Sequence, residues 1–108
     1  MKSKRTKASS ISMDVKRNVY RRDGGCCIFC GRPVSVYHAN SHVISRAYGG
    51  LGIEQNIMTN CIECHRLYDQ SIQRKKMQEI AIKHMIRIYG EFDKENLVFK
   101  KGKQHENK

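Results

Sequence analysis

Apolar residues recur at helical spacing near both ends of this chain and roughly alternate with polar ones in between. Val15, Val19 and Tyr20 share one helical face, Ser12 is placed as an N-cap and Asp14 falls in the first turn. This pattern predicts a helix that stops before Asp23-Gly24-Gly25 and turns Arg17, Arg21 and Arg22 outward. The stretch VYHANSHVI predicts a strand from about Ser35 to Ile44, broken near Asn40. The glycine-rich segment Ser45–Gln55 reverses the chain, and Asn56–Asn60 forms a second short strand. A helix then starts near Glu63 and carries His65, Leu67, Tyr68 and Asp69. From about Ser71 to Tyr89, Met77, Ile80, Ala81, His84 and Ile88 keep a 3–4 spacing, widened by Met85 and Tyr89. Glu79, Lys83 and Arg87 make the solvated stripe, and Gly90 ends the helix. Leu97-Val98-Phe99 reads as a short edge strand. The order of elements predicts an α+β fold, with helices flanking a two-stranded hairpin and its own following helix.

The 108 residues leave room for a single domain, taken as residues 12–99. Met1 to about Ile11 is polar, basic and without period, and reads as a disordered arm; residues 100–108 read as a frayed basic tail. With five Tyr, three Phe and no Trp the core is thin, a condition under which small domains lean on a bound metal. The formal net charge of +11 calls for a polyanionic partner, and eight Lys and Arg in residues 1–22 against the single acid Asp14 concentrate it. Nucleic acid is the partner expected. The sequence has no signal peptide and no apolar run of membrane length, so a cytoplasmic protein without a membrane role is expected.

Cysteines sharpen this picture. Cys27-Ile-Phe-Cys30 and Cys61-Ile-Glu-Cys64 are two CxxC pairs about thirty residues apart, a spacing that can give four thiolates to one structural zinc. Gly31 follows the first pair, where a tight knuckle needs positive φ. Cys26 to Cys30 is also an allowed spacing, but Cys27 mirrors the second pair and leaves Cys26 as a small buried hydrophobe. An odd total of five cysteines argues against a disulfide framework.

Between and just after the pairs stand His42, Asn56 and His65. In the phrases SHVISRAYGGLGIEQN and CIECHRLYD, with CxxCG upstream, residues Val15 to Asp69 resemble the HNH endonucleases, the ββα-metal nucleases, and especially the small ones of bacteriophages and prophages. His42, Asn56 and His65 fall at the H, N and H positions. The resemblance implies a ββα-metal unit stapled by a four-cysteine zinc knuckle, hydrolysis or nicking of DNA, and for a phage protein a place beside the terminase in the host cytoplasm. Phosphodiester hydrolysis needs a base for water and a cation to offset charge on the phosphorus and the leaving oxygen. Histidine titrates near neutrality, so His42 is assigned as the base, as the resemblance also implies. Asn56 is assigned to pinning the loop and the His42 backbone, and His65, held by the knuckle, to a second, catalytic metal.

Family members often carry a metal ligand immediately before the base histidine; this chain has Ser41, a poor ligand. Asp69, one helical turn after His65, is therefore expected to complete the pair, for Mg²⁺ or Mn²⁺, with His38 as the weaker alternative. Arg46, beside the glycine loop, is the candidate for gripping a substrate phosphate, with Arg17, Arg21 and Arg22 as further nucleic-acid contacts. Two other readings keep the fold and lose the chemistry: a zinc-stapled nucleic-acid-binding module and a phage packaging accessory. A pure binding module has no need of His42, Asn56 and His65 together.

Overall fold

The computed structural model describes residues 3–37 and 40–100 and is a small α+β structure. Its elements are α1 (Lys4–Ser9), α2 (Met13–Arg22), β1 (Asn40–His42), β2 (Ile57–Thr59), α3 (Ile62–Gln70) and α4 (Arg74–Tyr89). Strands β1 and β2 pair antiparallel, with His42 opposite Ile57 and Ser41 opposite Met58. Helix α2 packs on β2, and α3 packs on α4. No helix among the described residues is long and apolar enough to cross a membrane.

Local chemistry explains where the elements end. Ser12 caps α2 by accepting from the Val15 amide at 3.1 Å, and Gly90 closes α4. Both strands are shorter than the alternation predicts. At Ser35 the side chain accepts from the Tyr37 amide at 3.1 Å and bends the chain, while Pro33 has no N–H to give a ladder. At the other end Ile44 donates its N–H to Asn56 Oδ1 and its carbonyl accepts from Asn56 Nδ2, so β1 stops at His42. The Leu97–Phe99 segment pairs with the glycine loop rather than with the sheet. Leu51 donates to the Leu97 carbonyl at 2.8 Å and Phe99 to the Gly49 carbonyl at 2.7 Å.

Within the expected arm, the segment from Ser3 to Ser10 differs from expectation. Ser3 caps a helical turn over Lys4–Ser9, and that helix is fastened to the loop after His42. A six-residue helix has little stability alone, so docking supplies it. The tail after Lys100 lies outside the described residues.

One core joins Val43, Met58, Tyr68, Met77, Ala81 and Met85 to the buried cysteines. In α4 the buried line is Met77, Ala81 and Met85, a stripe four residues apart; Ile80 turns to solvent instead of joining it. Beside this core lies a polar knot. The Asp23 carboxylate, fully buried, accepts from Arg22 Nε at 2.7 Å and Nη2 at 2.9 Å, from His84 Nε2 at 2.8 Å and from the Thr59 amide at 3.0 Å. Arg22 also donates to the Glu54 and Ile57 carbonyls. Arg22 is therefore an internal tie and not the outward nucleic-acid contact that its helical position predicts; Arg17 and Arg21 do face solvent.

Burial alone would raise the Asp23 carboxyl, but the hydrogen bonds from His84, Arg22 and Thr59 outweigh it and hold it at about 2, below the ordinary 3.8. The contribution to stability is complete at neutral pH and is lost only as pH falls from 3.8 through about 2. Asp23→Asn should cost about 3 kcal/mol in urea denaturation at pH 7, because it leaves Arg22 with a buried, uncompensated charge. Asp14→Asn, which removes only the exposed pair to Arg17, should cost under about 1 kcal/mol. Equal effects of the two substitutions would deny the knot its role.

Candidate active site and metal centre

The four cysteine sulfurs of Cys27, Cys30, Cys61 and Cys64 all lie within 4.8 Å of one another. Two turns bring them there. In the first, Cys27 N–H donates to the Arg32 carbonyl and Gly31 N–H to the Cys27 carbonyl, with Gly31 at φ +79°, a value a side-chain-bearing residue rarely adopts. In the second, Cys61 caps α3 by accepting from the Cys64 amide at 3.4 Å. The two meet because Ile28 N–H donates to the Thr59 carbonyl at the end of β2.

Zinc bonded to four thiolates at about 2.3 Å needs sulfurs about 3.8 Å apart, and the Cys30 and Cys61 sulfurs stand at 3.8 Å. The donor set fits a structural zinc. Burial pushes the Cys64 thiol up, and the neighbouring Cys61 and Cys27 sulfurs push it further, a crowding that a bound cation relieves. Burial opposes ionisation of Cys27 as well, but N–H groups of Cys30, Cys61 and Phe29 outweigh it and bring that thiol to about 7. Cys26 stands outside the cluster, half-buried, its backbone bridged to Pro33.

A cleft of about 620 Å³ opens next to the hairpin, lined among others by His42, Arg46, His65, Asp69 and Arg74. Strand β1 presents His42, and α3 presents His65 and, one turn later at its C-terminal end, Asp69. The His42 ring is half-buried, and its Nε2 donates to the Ser9 carbonyl at 2.7 Å. Desolvation lowers its pKa, the Ser9 carbonyl opposes that, and Arg46 lowers it further; the net direction is downward, favouring a neutral imidazole.

Asn56 is fully buried and does not reach the cleft. Its Oδ1 accepts from the Ile44 amide at 2.8 Å and its Nδ2 donates to the Ile44 and Leu51 carbonyls. Its own carbonyl accepts from the Val43 amide, next to His42. One side chain thus closes the 44–51 loop on itself and fixes the backbone that carries His42.

His65 Nε2 and Asp69 Oδ2 are 3.0 Å apart. Two ligands on adjacent corners of an octahedral Mg²⁺ site, each about 2.1 Å from the ion, stand about 3.0 Å apart, so the pair fits a divalent cation. Among the described residues no third cysteine, histidine or carboxylate joins them; His38 lies outside those residues. Ser41, buried, touches His65 Nδ1 at 2.8 Å through Oγ, and Asn60 Nδ2 donates to the same oxygen at 2.6 Å. A cation at Nε2 would require the ring proton on Nδ1, where Ser41 Oγ stands in place to accept it. Ser41 therefore contacts His65 on the side away from Asp69.

Sequence reasoning passed over Arg74. Its guanidinium lies 4.3 Å above the Tyr68 ring, donates to the Tyr68 carbonyl at 2.9 Å and reaches Asp69 Oδ1 at 3.8 Å. Only the short turn between α3 and α4 brings it beside Asp69, and a helical pattern carries no mark of that turn. Arg46 is exposed, with Nε 3.2 Å from Ser9 Oγ. Comparison with known proteins returns no matching family model and no matching curated protein, so the functional reading stands on the site itself.

Proposed function

We propose that this chain is a metal-dependent endonuclease of the HNH type that hydrolyses phosphodiester bonds of DNA, single-strand nicks included. The observation that carries the reading is the convergence of His42, His65, Asp69 and two arginines on one cleft, in a chain that also gathers four cysteines into a cluster. The strand–strand–helix order of β1, β2 and α3 supports it, and the net charge of +11 suits a polyanionic substrate.

In this reading His42 takes the proton from the attacking water, a task for which a neutral imidazole is prepared. Arg46 and Arg74 hold nonbridging phosphate oxygens, Arg74 with little ordering cost because Tyr68 already fixes its plane. Ser41 keeps His65 aimed, and Asn56 keeps the loop in register. His65 and Asp69 would hold a divalent cation, which would supply Lewis acidity toward the phosphate.

Incubation of purified protein with supercoiled plasmid, with and without Mg²⁺ or Mn²⁺, tests the activity directly. Asp69→Asn should raise the metal concentration required by about 10–100-fold, while His38→Ala should leave it unchanged. Cleavage by Asp69→Asn at the wild-type metal requirement would remove Asp69 from the site. No cleavage of any nucleic acid by metal-loaded wild-type protein would leave a binding module.

A further inference from the structure

We propose that the N-terminal segment is a wall of the candidate site: residues 3–10, clipped to Gly52, hold the Ser9 carbonyl on His42 Nε2 and leave Nδ1 as the proton-accepting nitrogen. This inference rests on the endonuclease reading for its consequence, though not for its geometry.

Besides the contact with His42, the segment's hydrogen bonds to the rest of the described chain go to the loop that follows His42. Arg5 Nη2 donates to the carbonyls of Arg46, at 3.1 Å, and Ala47, at 2.6 Å. The Gly52 amide donates to the Ala8 carbonyl at 2.9 Å, and Arg46 Nε donates to Ser9 Oγ at 3.2 Å. Ser9 is itself buried. At Gly52 a Cβ would overlap the Ser10 carbonyl and press on the Ser9 oxygen, so the approach tolerates no side chain there.

The chemistry follows from the acceptor. A peptide carbonyl has no proton to give, so the ring nitrogen facing it must carry one. Nε2–H is thereby assigned, and the lone pair resides on Nδ1. When Nδ1 takes a proton from water, the ring becomes a cation and its bond to the Ser9 carbonyl becomes charge-assisted. The segment thus orients the base and stabilises its conjugate acid. Through Nη2, Arg5 fastens the segment to the loop.

The test uses the full zinc-loaded chain, labelled with ¹⁵N at histidine, without divalent metal, and scores His42 by comparison with a His42→Gln spectrum. Wild type should show His42 protonated at Nε2 and bare at Nδ1. In Gly52→Ala the two tautomers should mix, DNA affinity should change no more than a few-fold, and cleavage with metal should fall about 10–100-fold. Arg5→Ala, at the surface, should shift the tautomer in the same direction if Gly52→Ala does not fold. A wild-type ring protonated at Nδ1, or an Nε2 tautomer unmoved in every variant that folds, would overturn the inference. An Nε2 tautomer that responds to these changes in a protein that cuts nothing would sink the endonuclease reading and leave the segment's role standing.

Discussion

Cys61→Ser should leave the chain unfolded and unable to retain zinc. Cys61 has three places in the structure: it contributes a sulfur to the cluster, caps α3, and sits buried in the core beside Tyr68 and Met58. Three of the nine residues of the main buried cluster are cysteines of the thiolate group, so the site and the core are one object. Structural zinc contributes about 10–16 kcal/mol to small metal-stapled domains at neutral pH, against a total stability of about 5–15 kcal/mol for ordinary domains. A core this thin has no reserve of that size. Serine keeps the cap but offers a hydroxyl that stays protonated, leaving three thiolates and a weak fourth ligand. Circular dichroism should show loss of helix, and elemental analysis should fall from about one zinc per wild-type chain to well under half. Native helix content in a zinc-free protein would overturn the structural assignment of the cluster.

His42→Ala should keep fold, zinc and DNA affinity and lose cleavage by about 10²–10⁴-fold, the range for removal of a general base. The fold should survive because the ring is only half-buried at the cleft wall and the strand pairing uses backbone atoms. Its one hydrogen bond, to the Ser9 carbonyl, leaves an acceptor that water entering the cleft can satisfy. Plasmid nicking at near-normal rate by this variant would take His42 out of the mechanism.

The elements whose signals are local could be read from the sequence. Ser12 and Gly90 fix helix ends through their own chemistry, and the CxxC pairs announce a shared site because their spacing is a ligand geometry. The neighbourhood of His65 and Asp69 was legible for the same reason, since four residues make one helical turn. What escaped depends on where distant backbone arrives. Ser41 could be judged as a ligand but not as a partner of His65, which requires knowing that β1 runs past the start of α3. Arg22 could be placed on a helical face, but the buried Asp23 carboxylate that draws it inward is invisible to periodicity. Over Lys4–Ser9 composition reports only the stability of the segment alone, whereas α1 is held by loop carbonyls more than forty positions away.

The knot around Asp23 has a consequence for how the molecule opens. A helix that follows the rest of a fold commonly unzips by itself, ahead of global unfolding. Here His84 and Tyr89 of α4 are hydrogen-bonded to Asp23 and Arg22, which also hold Thr59 and Ile57 of β2. Detaching α4 would strip Asp23 of one donor and expose a buried carboxylate without freeing it from the hairpin. Helix α4 and the hairpin therefore share a single opening step, and the wall of the cleft that Arg74 provides is as long-lived as the sheet beneath it.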